Sequence, residues 1–299
     1  MKNNEIQGGL HKSVINWYPG HMLKAQHEIK ENLKLIDIVI EILDARVPFS
    51  SSNPLLQELI KDKQKLIVLN KKDLADSTIT EKFLDYFEKQ GIKCIAVNTQ
   101  IASDIKKIID MIYMLGKQIN YENSKIKINP IYRVLVMGIP NVGKSTIINK
   151  ISGKNRLEVG NKPGVTKRKQ WIRVAGNIDL LDTPGILWPN LSDENIGVKL
   201  ALTGNINLDV LEIEELACKG IEYLIHIPRY TKYLMEKYKL TEEDMQLEYY
   251  DILEKIGRKR GCLISGGNVD MEKAARIFVD DFKNGKIGNI SLDEVKGNE

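Results

Sequence analysis

The passage from Arg133 to Ile151 constrains this chain more than any other. RVLVM, an apolar strand-like run, leads straight into Gly138-Ile-Pro-Asn-Val-Gly143-Lys144-Ser145, and STIINKI follows as the start of a helix. The octapeptide matches the GxxxxGK[ST] pattern. A glycine-rich turn feeding a helix N-terminus points several backbone N–H groups at one anion, and the helix dipole adds to the attraction. The pattern therefore predicts a phosphate cradle formed by Asn141, Val142 and Gly143. Lys144 would reach the β- and γ-phosphates, the Ser145 hydroxyl would ligate Mg²⁺, and Thr146 would stand beside it in the first turn. The bland alternative is an ordinary β–α turn that happens to contain glycines.

Three weaker patterns gain weight from where they fall. Asp182-Thr-Pro-Gly185 ends the apolar run IDLL, so Asp182 would hold Mg²⁺ through a water while the Gly185 N–H meets a γ-phosphate. Thr166, in the basic loop GNKPGVTKRK, is the candidate second hydroxyl ligand, against the plain alternative of a surface threonine. Asn70-Lys71-Lys72-Asp73 follows LIVL and matches NKxD. Its Asp73 can accept from guanine N1–H and N2–H₂ together, and Asn70 can donate to the O6/N7 side. Adenine offers no such donor pair, so the tetrapeptide favours GTP and GDP over ATP by roughly 10⁴-fold. Asn98-Thr99, after CIAV, is a further candidate contact. Asn70, Asn98-Thr99, Gly138 and Asp182 all stand at the carboxyl ends of strand-like runs, the edge at which an open parallel sheet binds ligands.

The rest of the chain fits that picture. Strand-like runs at 36–43, 66–69, 92–97, 132–137, 170–174 and 178–181 alternate with amphipathic helical stretches such as 79–90 and 103–119. This predicts an α/β fold with a mostly parallel, doubly wound sheet. After Gly185 the pattern changes to helical segments at 193–203, 209–226, 241–258 and 270–283, with Thr241 as the N-cap of the third. We therefore expect a domain at 1–188, including an N-terminal segment, and an all-helical domain at 189–299. Residues 1–188 carry 29 Lys and Arg against 19 Asp and Glu; residues 189–299 carry 15 against 21. That asymmetry hints at a polyanionic partner. No run is long and apolar enough to span a membrane, MKNNEIQGGLHK has no signal-peptide core, and the scattered Cys94, Cys218 and Cys262 form no disulfide framework or CxxC site. The expectation is a cytoplasmic monomer with no membrane association.

The motif order is rotated: NKKD and Asn98-Thr99 precede the phosphate loop, Thr166 and DTPG, whereas GTPases of this kind begin with the phosphate loop. The domain thus resembles a circularly permuted P-loop GTPase. WYPGHMLKA at 17–25, DARVP at 44–48, SSSNP at 50–54, NKKD, GIPNVGKST and PGVTK together resemble the ribosome biogenesis GTPase A family, bacterial assembly factors for the large ribosomal subunit. The resemblance covers about residues 17–188. It implies slow GTP hydrolysis that the ribosome stimulates, coupled to binding a large-subunit precursor and its rRNA, and release after hydrolysis. It also implies a departure from the best-known GTPases. Where those place a water-orienting glutamine after DxxG, this chain has Ile186, so the family's substitute, His21 here, becomes the candidate catalytic residue. The alternative is that His21 anchors the N-terminal segment or contacts RNA. Asn141 resembles the loop asparagine of potassium-activated GTPases, which makes K⁺ a candidate cofactor beside Mg²⁺. Other functions left open are a P-loop ATPase, or an RNA-binding scaffold that binds nucleotide without turning it over.

Overall fold

The computed structural model describes residues 30–122, 130–153, 170–174, 176–182, 194–206 and 212–295. The first part alternates strands and helices: β1 (Ile38–Asp44), α1 (Pro54–Leu59), β2 (Gln64–Asn70), α2 (Ser77–Lys89), β3 (Lys93–Val97), α3 (Ala102–Glu122), β4 (Tyr132–Met137), α4 (Lys144–Ser152), β5 (Gln170–Val174) and β6 (Ile178–Asp182). They form one six-stranded sheet in the order β3-β2-β1-β4-β6-β5, parallel except for β5 against β6. The predicted α/β class and mostly parallel sheet are what is found, and β4 and β5 have the predicted bounds.

β1 sits at the centre, and all seven of its residues are buried. Side chains alternate across a strand, so Ile38, Ile40 and Ile42 join one apolar cluster while Val39 and Leu43 join the clusters on the opposite face. Glu41 is the polar residue inside the strand, ahead of the terminal Asp44. It is matched by Lys65 of β2 at 2.9 Å, by the Ser52 hydroxyl at 3.0 Å and by the Gln57 amide, so the buried charge is compensated. The neighbouring serines are equally specific. Ser51 Oγ accepts from the Asp44 N–H and donates to the Val47 carbonyl, and Ser50 donates both N–H and Oγ–H to Asp293. The SSSNP stretch is thus a structural joint.

The helical part continues with α5 (Glu194–Leu202), α6 (Ile213–Ile225), α7 (Pro228–Tyr238), a 3₁₀ turn (Glu243–Gln246), α8 (Tyr249–Lys259) and α9 (Met271–Lys283). α9 packs against α6 and α8, and Gly220 of α6 allows the close approach, since a Cβ there would lie 2.7 Å from the Phe278 ring. The buried apolar cluster of this part is continuous with the one over the sheet.

Two expectations need correction. The predicted helix 241–258 is divided into the 3₁₀ turn and α8. Thr241 Oγ1 accepts from the Asp244 N–H and Asp244 accepts from the Thr241 N–H, a reciprocal cap that starts the short turn instead of the long helix. Second, α7 was not anticipated. Its buried stripe is Tyr230, Leu234 and Tyr238, a four-residue spacing in which tyrosine weakens the apolar signal; Pro228 in the first turn was the available clue.

Phe278 is fully buried between Gly220 and Tyr238. Phe278→Ala is expected to lower the unfolding free energy by about 3–5 kcal/mol, measured by chemical denaturation.

Candidate functional site

From β1 the chain winds outward through β2 and β3; from β4 it winds the other way to β6 and β5. The reversal lies between β1 and β4, and in such sheets the binding crevice opens outside the carboxyl ends of the strands at that point. Asp44 ends β1, Asn70 ends β2 and Asp182 ends β6, while β4 leads into the glycine-rich loop. Asn98-Thr99 follows β3, so the carboxyl ends of β1, β2, β3, β4 and β6, all parallel, lie along one edge of the sheet.

The loop 138–143 has the backbone its sequence demands. Asn141 has φ 57° and Gly143 φ 100°. A side chain at Gly143 would suffer both from that conformation and from a Cβ 2.3 Å from the Asn70 amide nitrogen. Gly143 stands immediately before α4, and its carbonyl accepts from the Ile147 N–H at 3.0 Å. Val142 is buried, whereas Ser145 and Thr146 are half-buried in the first turn. Lys144 is 7% exposed and folds back to donate to the Ile139 carbonyl at 2.7 Å. Burial pulls its pKa down to about 8, against the opposing field of Asp182, a fully buried carboxylate.

The Asn70–Asp73 loop touches this cradle directly. The Asn70 amide donates to the Val142 carbonyl at 2.7 Å, so one N–H expected on the O6/N7 side instead ties the two loops together. The Asn70 side-chain oxygen Oδ1 is buried and has no hydrogen-bond partner among the described residues. Lys71 takes a left-handed conformation (φ 60°) and its ammonium donates to Asp44 at 2.8 Å. Lys72 pairs with Asp104 at 2.5 Å. Asp73 is exposed, and among the described residues nothing occupies its carboxylate.

At the end of β3, the Asn98 N–H donates to Asp104 and its side-chain oxygen accepts from the Gln100 N–H, which fixes the turn carrying Thr99. Burial raises the Asp104 pKa, but hydrogen bonds from Lys72, the Asn98 N–H and Lys107 outweigh it and hold the group at about 2. Asp104 thus cross-links the β2 and β3 loops.

The DARVP stretch contributes an unexpected centre. Arg46 grips Asp44 with two parallel bonds of 2.8 and 2.9 Å, and its remaining donors reach the carbonyls of Thr203, just beyond α5, and Lys283, at the end of α9. A cation at the carboxyl ends of two helices is electrostatically well placed. Asn205 donates to Asp44 at 3.1 Å and to Thr203 at 2.8 Å. Burial would raise the Asp44 pKa, but Arg46 and Lys71 together hold it far below the ordinary carboxylate range. Asp104 and Asn205 were not candidates from the sequence; Asp44 and Arg46 stand in DARVP at a strand end, a place open to a role near the nucleotide or to an ion pair, and the ion pair is present. The phosphate loop also reaches the helical part, through the Asn141 amide on the Gly204 carbonyl at 3.2 Å.

His21, Thr166 and Gly185 lie outside the described residues. Among the described groups, the Ser145 hydroxyl and the Asp182 carboxylate are hard oxygen donors at the start of α4 and the end of β6, the donor chemistry that suits Mg²⁺.

A family model described as "50S ribosome-binding GTPase" matches residues 133–257. It starts at the strand before the phosphate loop, with NKKD lying ahead of it, as the rotated order requires. The chain is 40% identical to ribosome biogenesis GTPase A of Bacillus licheniformis over 94% of this chain and 98% of that protein. It is 36% identical to mouse mitochondrial ribosome-associated GTPase 1 over 94% of this chain and 90% of that one. The crystal structure of GNP-bound YlqF from Thermotoga maritima superposes with a TM-score of 0.61 at 30% identity, covering 91% of this chain and 98% of that one.

The lowered Lys144 pKa has a measurable sign. Below about pH 8 the free protein already carries this proton; above it, a bound phosphate must restore the proton. Binding then takes up a proton and weakens as pH rises. The Kd for GDP is expected to rise about fivefold between pH 8 and 9, with proton uptake seen by calorimetry in different buffers. Lys144→Arg, whose cation does not titrate, is expected to flatten this profile.

Proposed function

The chain belongs to the ribosome biogenesis GTPase A family, and we propose that this GTPase binds the precursor of the large ribosomal subunit and leaves it after hydrolysis. The observation that carries the reading is the Asn70–Val142 bond, which joins the base-recognition loop to the phosphate loop across the β1/β4 crevice. One ligand with a base at one end and phosphates at the other fits that span. We further propose that the division at 188/189 separates the GTPase part from a helical part that contacts the particle and its rRNA. The protein acts as a cytoplasmic monomer, and among the described residues no helix is long and apolar enough to cross a membrane.

In this reading Lys144 exchanges the Ile139 carbonyl for phosphate oxygens, so a buried cation gains an anionic partner. The N–H groups of Val142, Gly143, Lys144, Ser145 and Thr146 surround the phosphates. Asp73 accepts from guanine N1–H and N2–H₂, and the loops ending in Lys72 and Asn98-Thr99, fixed through Asp104, frame the base. Gly185 offers its N–H to the γ-phosphate. Ser145 and Thr166 would hold Mg²⁺ directly and Asp182 would hold it through water. When bound, the metal supplies charge neutralisation on the phosphates. Asn141 is assigned to a K⁺ site, which its side-chain oxygen would ligate, the NH₂ group being the one that donates to the Gly204 carbonyl. Ile186 cannot hydrogen-bond water, so His21 is assigned to orient the attacking water.

Competition between GTP and ATP tests the base assignment. Wild-type protein is expected to reject ATP by orders of magnitude, and Asp73→Asn to lose most of that preference; equal binding of both nucleotides refutes the reading. His21→Ala is expected to leave the Kd for GTP unchanged while lowering particle-stimulated turnover by about 10²-fold or more. The same assay in KCl and NaCl reads the potassium assignment, which equal rates would overturn.

A further inference from the structure

The loop that carries Asp73 is held from both sides by the helical part of the chain. On its upstream side, Lys71 donates to Asp44 at 2.8 Å and lies 3.4 Å from Asn205 Oδ1. Asn205, which follows α5, simultaneously donates to Asp44 Oδ2 and to Thr203 Oγ1. On the downstream side, the Ile290 N–H donates to the Leu74 carbonyl, and the Asp76 N–H donates to Ser291 Oγ. Left to itself, a non-glycine residue at φ 60° is unfavourable. Here the conformation of Lys71 is fixed by a buried ion pair whose anion the helical part orients.

The charges explain why the arrangement holds. Asp44 is fully buried and faces two cations, Arg46 and Lys71, so the cluster carries one surplus positive charge. The carboxyl ends of α5 and α9 offset part of it through the Arg46 guanidinium. Each Asp44 oxygen accepts more than one hydrogen bond, and the network is therefore geometrically determined. Removing Asn205 leaves Asp44 paired with Arg46 and Lys71 but takes away the hydrogen bonds that tie the Lys71–Asp44 pair to the end of α5.

We infer that Asp44 and Asn205 are positioning residues of the guanine site: through Lys71 they set the loop that presents Asp73, so the helical part completes base recognition. This rests on the nucleotide reading above. It goes further in making selectivity for the guanine ring depend on a residue outside the GTPase part. A partner that shifts the end of α5 would alter nucleotide affinity through the base loop, and by linkage nucleotide would alter the affinity for that partner.

The test compares GDP, IDP and ADP binding to full-length wild type, Asn205→Ala and Asp44→Asn. IDP lacks the exocyclic amine that Asp73 accepts, so the GDP-to-IDP affinity ratio reports the placement of that carboxylate independently of how much protein is folded. Asn205→Ala, which keeps the Asp44–Arg46 pair, is expected to weaken GDP binding by about tenfold and to bring the GDP-to-IDP ratio down towards one. Asp44→Asn is expected to do so more strongly if it folds; Asn205→Ala alone decides the matter if it does not. A variant that melts earlier but keeps the wild-type ratio overturns the inference, because the network would then be structural only. Wild-type protein that fails to prefer GDP over ADP overturns the nucleotide reading itself, a separate outcome.

Discussion

Arg46 and Asp44 form the joint on which the two parts of this molecule depend. A carboxylate with no exposure at the end of the central strand is costly to bury unless every lone pair is used. Here a bidentate guanidinium, a lysine ammonium, an amide and a backbone N–H share its two oxygens. The same guanidinium carries two helix ends from the C-terminal part. Losing one partner would leave a buried charge uncompensated, which makes the joint specific as well as strong. The strand end, the base loop and the helical part are consequently placed by a single cluster.

The rotated motif order sets this joint beside loops that are distant in the chain. The rotated order puts base recognition ahead of the phosphate loop, so the two halves of the site are separated by more than sixty residues between Asp73 and Gly138. Parallel pairing of β1 with both β2 and β4 brings them side by side, and the Asn70–Val142 bond closes the seam. The tail after α9 then crosses back over the loops at 46–50 and 74–76, where Leu292 donates to the Arg46 carbonyl and Asp293 receives Ser50. The helical part therefore communicates with the base and phosphate loops through non-covalent contacts.

The motifs were legible because each has a fixed backbone requirement. Gly143 must adopt positive φ next to Asn70, Lys144 must start a helix, and NKxD must begin where a strand ends, as Asn70 does for β2; such demands are local and leave a local pattern. The strands of the sheet were legible for the same reason, as buried parallel strands appear as continuous apolar runs. α7 was not, because tyrosines whose hydroxyls are satisfied by Asp76 and Asp281 are apolar in the core and polar in a periodicity count. The break before α8 was equally hidden, since Thr241 and Asp244 read as a cap for whatever helical turn follows.

The amino-acid sequence by itself determined the α/β class, the GxxxxGK[ST] and NKxD motifs, their rotated order and a helical C-terminal part. These follow from residue types at short, rigid spacings. Only the tertiary structure decided that Asp44, Arg46 and Asn205 form the joint, that Asn70 spends an amide hydrogen on the phosphate loop, and that the tail grips the base loop. Those contacts join residues 161 and 72 positions apart, and no local pattern encodes such a meeting. It arises when burial of apolar surface brings the elements together and leaves each buried polar group to find its partner.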